Sequence, residues 1–210
     1  MIEESLFTVA DMEYIRNRLP EVDNAIRGNL LEFPGYEHPL PIAGACYTGV
    51  WMEHNQDWFF LADIAPESAW GAVEIFMEYQ KENGLFPVVV KNTGTAAYRQ
   101  VQNIWPFARC AFEIARKVKR GEADLRRIYA AAVAYDRWLG EFRDHKNLGL
   151  VEMFCEYDTG HDNSPRVKDG GLPHNMDPDA GTMPDLPILP ILAPDLSAMR
   201  YQGRVALSEL

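Results

Sequence analysis

The sequence predicts an all-α fold. Apolar residues recur at helical spacing in several segments, and helix start and stop residues flank those segments. One short stretch, residues 87–90 (Pro-Val-Val-Val), has the pattern of a strand. The chain has 210 residues, of which 47% are hydrophobic and 24% charged, an ordinary globular composition. This length allows one sizeable hydrophobic core.

The N-terminal segment predicts two successive helical pieces. Thr8 and Asp11 have the spacing of an N-cap and an acidic third position, and the helix that follows is predicted to reach about Leu19. Pro20 is expected to restart the helix, because a proline inside a helix removes a hydrogen bond. The Pro- and Gly-rich residues 33–49 are predicted to form a loop.

Three helices are predicted in the middle of the chain. The first opens at Pro66, carries an apolar face to Met77 and is expected to close at Gly84. The second follows Pro106 and ends at Gly121. The third runs from Glu122 to about Phe142 and again presents an apolar stripe.

A long loop and a last helix are predicted for the C-terminal part. Seven of the 14 prolines fall within residues 162–194, so we expect a loop over about residues 158–194. Loops of this length are uncommon in compact domains and tend to be functional or disordered. The last helix begins near Pro194 and reaches Leu210 without a stop signal, so the chain is expected to end in mid-helix.

Composition argues against several classes of protein. A net charge of −11 opposes nucleic-acid binding, which needs a basic surface. The chain lacks an apolar run of membrane-spanning length, and its acidic N-terminus does not look like a signal peptide, so we expect a cytoplasmic protein without membrane contact. Cys46, Cys110 and Cys155 are too far apart for a disulfide framework or for metal-ligand spacing. We expect neither a metal nor a cofactor.

A cluster of aromatic and acidic residues lies at residues 51–60. Trp51 and Trp58 flank Asp57 and other polar residues. Sugar rings stack their apolar faces on aromatic rings, while their hydroxyl groups need acceptors such as carboxylates. The alternative is that residues 58–60 form the core face of a short helix. Asp57 is harder to explain as structure, because a buried carboxylate needs partners.

An amide-rich segment precedes the helix at Pro106. Gln102 and Trp105 could bind a hydroxylated ligand. The alternative is that Asn103 caps the helix and that Trp105 packs against the core.

A charged loop held by a proline turn follows at residues 157–166, and Asp162 is its strongest candidate for chemistry. Asp162 begins an Asp-Asn-Ser-Pro turn, and the alternative is that it forms an Asx turn and nothing more. Zinc bound by His161, Asp162 and His174 is conceivable. Their spacing matches no common zinc motif, so no metal site is predicted.

These segments, in this order, resemble the clan of inverting glycosidases with an (α/α)6 barrel. The clan includes trehalases, α-glucosidases of glycoside hydrolase family 63, and bacterial mannosylglycerate and glucosylglycerate hydrolases. The weaker matches are residues 56–60, 80–87 and 102–106. The specific match is Gly-Leu-Val-Glu at residues 149–152 followed by Thr-Gly-His-Asp-Asn-Ser-Pro-Arg at residues 159–166. His161 and Val167 depart from the pattern, so the substrate is expected to differ.

The resemblance implies a fold, an activity and a set of site residues. The fold would be an (α/α)6 toroid, of which this chain is the N-terminal part and supplies about half. Asp162 would be the general acid. The residues that would bind the sugar substrate are Trp51, Asp57, Gln102, Trp105, Asp158 and Arg166. The catalytic base of the family lies further downstream, so we expect self-association or a further C-terminal region that carries it.

Two other functions remain open at this point. The chain could belong to a helical-toroid protein that binds carbohydrate without catalysis. It could also be a sugar epimerase or isomerase in which His54 and His161 transfer protons. Hydrolysis of an α-glucoside or α-mannoside, binding without turnover, and deuterium exchange into an intact sugar would distinguish the three functions.

Overall fold

The computed structural model describes residues 8–44, 46–102, 105–162, 164–168, 170–176 and 178–210, with backbone only for Arg166 and Lys168. Within these ranges the main elements are helices: α1 (Val9–Gly28), α2 (Asn55–Leu61), α3 (Pro66–Glu78), α4 (Phe107–Lys117), α5 (Glu122–Phe142), α6 (Pro165–Lys168) and α7 (Pro194–Glu209). The predicted all-α class, consistent with part of a helical toroid, is confirmed. No described helix is both long and apolar enough to span a membrane.

Short antiparallel strands join the helices. They are β1 (Leu30–Leu31), β2 (Leu40–Pro41), β3 (Gly49–Trp51), β4 (Val89–Lys91), β5 (Ala96–Ala97), β6 (Glu152–Met153) and β7 (Ile191–Leu192). The pairs are β1–β2 and β6–β7, and β4 lies between β3 and β5. The strand predicted at residues 87–90 is confirmed by β4. The others escaped prediction because two or three residues are too few to show an alternating pattern.

Helix α1 is one helix rather than the predicted two. Its N-terminal capping box is confirmed: the amide of Asp11 donates to Thr8 Oγ1 at 3.2 Å, and the amide of Thr8 donates to Asp11 Oδ2 at 2.8 Å. Pro20 lies inside the helix, so the predicted restart is wrong. No residue of α1 is buried. Water can therefore hydrate the carbonyl group that Pro20 leaves without a donor.

Most of the other helices pack around one main core. Trp58 lies within it and stacks on Phe76 at a centroid distance of 5.3 Å. Trp58 is thus a core residue, as one interpretation of residues 58–60 held, whereas Phe60 of the same helix is 66% exposed. Helix α3 ends at Glu78 rather than at Gly84. Gly84 has a φ of 98° and lies so close to the backbone of α5 that a Cβ atom would stand 2.3 Å from the carbonyl oxygen of Ala134.

The long C-terminal loop is partly ordered by hydrogen bonds to the segment before α4. The amide of Met176 donates to the carbonyl oxygen of Arg99, and the amide of Ala180 to that of Tyr98, both at 2.8 Å. A 3₁₀ turn at Glu156–Thr159 and the short helix α6 lie within or beside this loop. The loop therefore forms a wall beside residues 98–102, which is where the candidate site lies.

Candidate active site

One cleft brings together several of the residues predicted from sequence. It has a volume of about 770 Å³ and lies between the β3–β4–β5 sheet, residues 99–102 and the loop after β6. Its lining includes three predicted site residues, Trp51, Gln102 and Asp162, together with Glu53, His54, Arg99 and Tyr157. Trp51, Gln102 and Asp162, which are 51 to 111 positions apart in sequence, thus share one surface.

Asp162 is exposed to this cleft, just after the turn that ends at Gly160. Among the residues that the structure describes, no hydrogen bond or ion pair holds its carboxylate. Partial burial raises the pKa of Asp162, and the negative charges of Glu53 and Glu156 raise it further. A carboxyl group in such surroundings retains its proton to higher pH than an ordinary aspartate, as a general acid must.

Glu53, rather than Asp57, is the carboxylate that residues 51–60 contribute to the cleft. His54 lies between the two: its Nε2 is 3.2 Å from Glu53 Oε1, and its Nδ1 is 3.2 Å from Asp57 Oδ2. The side chain of Asp57 is 61% exposed and faces an adjoining groove that shares Trp51 and His54 with the cleft. The sequence pattern identified the segment but not the carboxylate, because the 3₁₀ turn at Met52–His54 precedes α2 and turns Glu53 inward.

The same two contacts make His54 a cation. The hydrogen bond with Asp57, followed by that with Glu53, raises the pKa of His54 to about 9. The imidazole is therefore protonated at neutral pH and cannot accept a further proton.

Gln102 lines the cleft but is nearly buried, with 4% of its surface exposed. Its Oε1 accepts a hydrogen bond from Gln100 Nε2 at 2.8 Å. Trp105 is not part of the cleft lining; the residue is 47% exposed, and its carbonyl oxygen accepts from Asn55 Nδ2 at 3.0 Å. The predicted cap residue, Asn103, lies outside the described residues.

Asp158 is fully buried and does not line the cleft, so its predicted contact with substrate is not supported. Arg143 Nη1 donates to its Oδ2 at 2.6 Å, and Arg143 Nη2 to its Oδ1 at 3.2 Å. The amides of Val101, Phe154 and Cys155 donate to the same carboxylate. Burial alone would raise the pKa of Asp158, but the Arg143 charge and these hydrogen bonds hold it below its ordinary value.

Sequence analysis missed Arg143, which is as fully buried as its partner. It stands at the C-terminal end of α5, where a cation is usually explained by the helix dipole. An arginine beside the end of an otherwise apolar stripe was the only available signal, and it is a weak one.

The remaining predicted residues lie around the Asp-Asn-Ser-Pro turn. The amide of Ser164 donates to the carbonyl oxygen of His161 at 3.1 Å, which closes a turn before α6. His161 Nδ1 is 3.3 Å from Asp195 Oδ2. Arg166 belongs to α6, but its side chain lies outside the described residues, as does all of Asn163. Among the described side chains, no group of His, Cys, Asp and Glu is arranged to hold a metal ion.

Residues 59–203 match the family described as the mannosylglycerate hydrolase MGH1-like glycoside hydrolase domain. The chain belongs to this family. The matched region covers more than half of the chain and contains Gln102, Asp158 and Asp162. Trp51 and Glu53 lie before it, so their part in the cleft rests on geometry.

Two curated relatives within the glycoside hydrolases are mannosylglycerate hydrolases MGH1 and MGH2 of Selaginella moellendorffii. Each is 28% identical to the chain over 124 residues, which cover 50% of this chain and 25% of the relative. The chain thus spans about a quarter of the length of these relatives.

A solved structure shares the fold. The GH63 mannosylglycerate hydrolase from Thermus thermophilus, crystallised in complex with glucose, aligns with a TM-score of 0.50 and 19% identity over 92% of this chain and 50% of that one. The fold of this chain therefore corresponds to about half of that structure.

Proposed function

We propose that the chain carries the acid half of the active site of an inverting glycoside hydrolase. The substrate would be an α-glucoside or α-mannoside, either a small saccharide or a glycosyl conjugate. The observation that carries the proposal is the setting of Asp162: a carboxyl group in a cleft, without a partner among the described residues, whose protonated form is favoured by the charges of Glu53 and Glu156. A glycosidic oxygen is a poor leaving group until such an acid protonates it.

The other residues of the cleft suit a sugar. Trp51 offers an aromatic ring on which the apolar face of a pyranose can stack. Glu53 offers carboxylate oxygens as acceptors for hydroxyl groups, and Gln102 offers an amide as a donor. Arg166 stays a predicted sugar ligand on the basis of the sequence motif. Trp105 and Asp57 do not line the cleft, so we propose no direct contact between them and the sugar ring bound there.

Inversion also needs a base. The second carboxylate stands roughly 6.5–9.5 Å from the acid, so that a water molecule fits between it and the sugar. Glu53 is the other carboxylate among the described cleft residues, but it already pairs with the protonated His54. We therefore propose that the base comes from outside these residues, either from a C-terminal region or from a second copy of the chain.

The epimerase alternative receives less support from the site than hydrolysis does. It needs a neutral histidine that accepts a proton from the sugar, yet His54 is protonated at neutral pH because its pKa is raised to about 9. His161, its other candidate, is paired with Asp195.

The test is turnover of α-glucosides and α-mannosides by the protein that carries this chain, with the anomer formed first identified by NMR. The β-anomer is expected, because water attacks the face opposite to the leaving group. Asp162→Asn should lower kcat by about two to four orders of magnitude on ordinary glycosides, with partial rescue by an activated leaving group. Asp63→Asn, an exposed aspartate outside the cleft, is the matched control. Normal turnover by Asp162→Asn would exclude it as the acid, and sugar binding without turnover would favour the carbohydrate-binding alternative.

A further inference from the structure

Gln102 has a backbone conformation that glutamine rarely adopts. Its φ is 38°, in the left-handed region where a Cβ atom clashes with the backbone. Such conformations persist where the surrounding structure enforces them, and they cluster at functional sites. The side chain concerned lines the cleft.

Asp158 binds the amide groups on both sides of Val101 and so fixes the peptide plane that leads into Gln102. Its carbonyl oxygen accepts a hydrogen bond from the amide of Gln102 at 2.8 Å. Its Oδ1 accepts one from the amide of the preceding residue, Val101, at 2.9 Å. Two consecutive amides are therefore directed at a single buried aspartate.

Arg143 in turn fixes Asp158 relative to three other parts of the fold. Besides its two bonds to the carboxylate, its guanidinium donates to the carbonyl oxygen of Ala180 at 2.8 Å and to that of Glu152 at 3.0 Å. It also lies over the ring of Phe154, 4.1 Å from the centroid. Arg143 thus ties Asp158, which binds the amides of residues 101 and 102, to the end of α5, to strand β6 and to the long loop.

We propose that the buried Arg143–Asp158 pair is a positioning device that holds Gln102 in its left-handed conformation and thereby presents the Gln102 amide to the ligand. Gln100 Nε2 donates to Oε1 of Gln102, so the Nε2 group of Gln102 remains to donate to a ligand oxygen. The nature of the ligand rests on the proposed function, whereas the role of the pair in setting the backbone does not.

The first test compares Asp158→Asn with the wild-type chain by NMR. The amide and Cα signals and the HN–Hα coupling of residue 102 report its φ. We expect folded Asp158→Asn to lose the left-handed conformation and to bind glucose or mannose about tenfold more weakly, the effect of losing one hydrogen bond. The control is Asp179→Asn, which removes the contact with Lys81 elsewhere in the same loop. A left-handed residue 102 in folded Asp158→Asn would overturn the proposal. Arg143→Lys provides the same comparison if Asp158→Asn does not fold.

The second test compares Gln102→Gly with Gln102→Ala and does not depend on the ion pair. Both variants lose the buried side chain, but only glycine adopts a positive φ without a steric penalty. We expect the Gly variant to have the higher unfolding midpoint, the reverse of the usual order, and both variants to bind the sugar about tenfold more weakly than the wild type. A higher midpoint for the Ala variant would overturn the proposal. If the wild-type chain binds neither sugar, the proposed function fails, while the NMR and stability results still decide the role of the pair.

Discussion

Two aspartates four residues apart have opposite environments. Asp158 has no exposed surface, and Arg143 and three backbone amides donate to its carboxylate. Asp162 faces the cleft, and among the described residues no cation pairs with it. The pKa of Asp158 is lowered, whereas that of Asp162 is raised.

The comparison shows that partners, rather than residue type, separate a structural carboxylate from a candidate catalytic one. The buried pair fixes the turn at Glu156–Thr159, and that turn places Asp162 at the cleft. A fully hydrogen-bonded carboxylate thus supports a carboxyl group that has no partner in the part of the chain that the structure describes. Functional sites often depend on such support, because a reacting group must be held in position by others.

The largest expected difference between the two aspartates is in stability. Asp158→Asn breaks a buried ion pair and leaves Arg143 without its counter-charge, which should lower the free energy of unfolding by about 3–5 kcal/mol. Asp162→Asn should change it by no more than about 0.5 kcal/mol, since no described residue is bonded to its carboxylate. Urea denaturation measures both values. Equal losses would mean that Asp162 is also structural.

The pH dependence of stability should differ in sign. The lowered pKa of Asp158 contributes stability that is present above the unfolded value of about 3.9 and is lost as pH falls through the folded pKa. The raised pKa of Asp162 contributes stability that is present below its unfolded value and is lost as pH rises through the folded pKa.

Unfolding midpoints measured between about pH 2 and pH 8 check these signs. Relative to the wild type, Asp158→Asn should lose less stability on acidification below about pH 4. Asp162→Asn should gain relative stability as pH rises above that value. A curve for Asp162→Asn parallel to that of the wild type would argue against the raised pKa.

The smallest expected effects concern sugar binding by Trp51, which lines the cleft, and Asp57, which lies beside it. Trp51→Ala should weaken glucose or mannose binding about tenfold, because a stacking face is removed. Asp57→Ala should weaken it by less than about threefold, because its exposed carboxylate acts through His54. Titration of both variants decides this, and equal losses would mean that Asp57 reaches the sugar.

The sequence alone predicted the parts of this protein that depend on local pattern. Apolar residues at helical spacing predicted helices α3, α4, α5 and α7 and, with proline at the first turn, where several of them begin, whereas α6 lies in the segment predicted to be a loop. The Asp-Asn-Ser-Pro motif predicted the family, and it drew attention to Asp162, which lines the cleft. Thr8 and Asp11 predicted the start of α1, because a capping box is a contact between near neighbours.

Only the tertiary structure decided which polar residues share a surface. Asp158 and Asp162 look alike in sequence, and burial against Arg143 separates them. Glu53 and Asp57 also look alike, and the turn before α2 decides which one lines the cleft. The energy of a charge depends on its solvation and on partners that are distant in the chain, and a local sequence pattern contains neither.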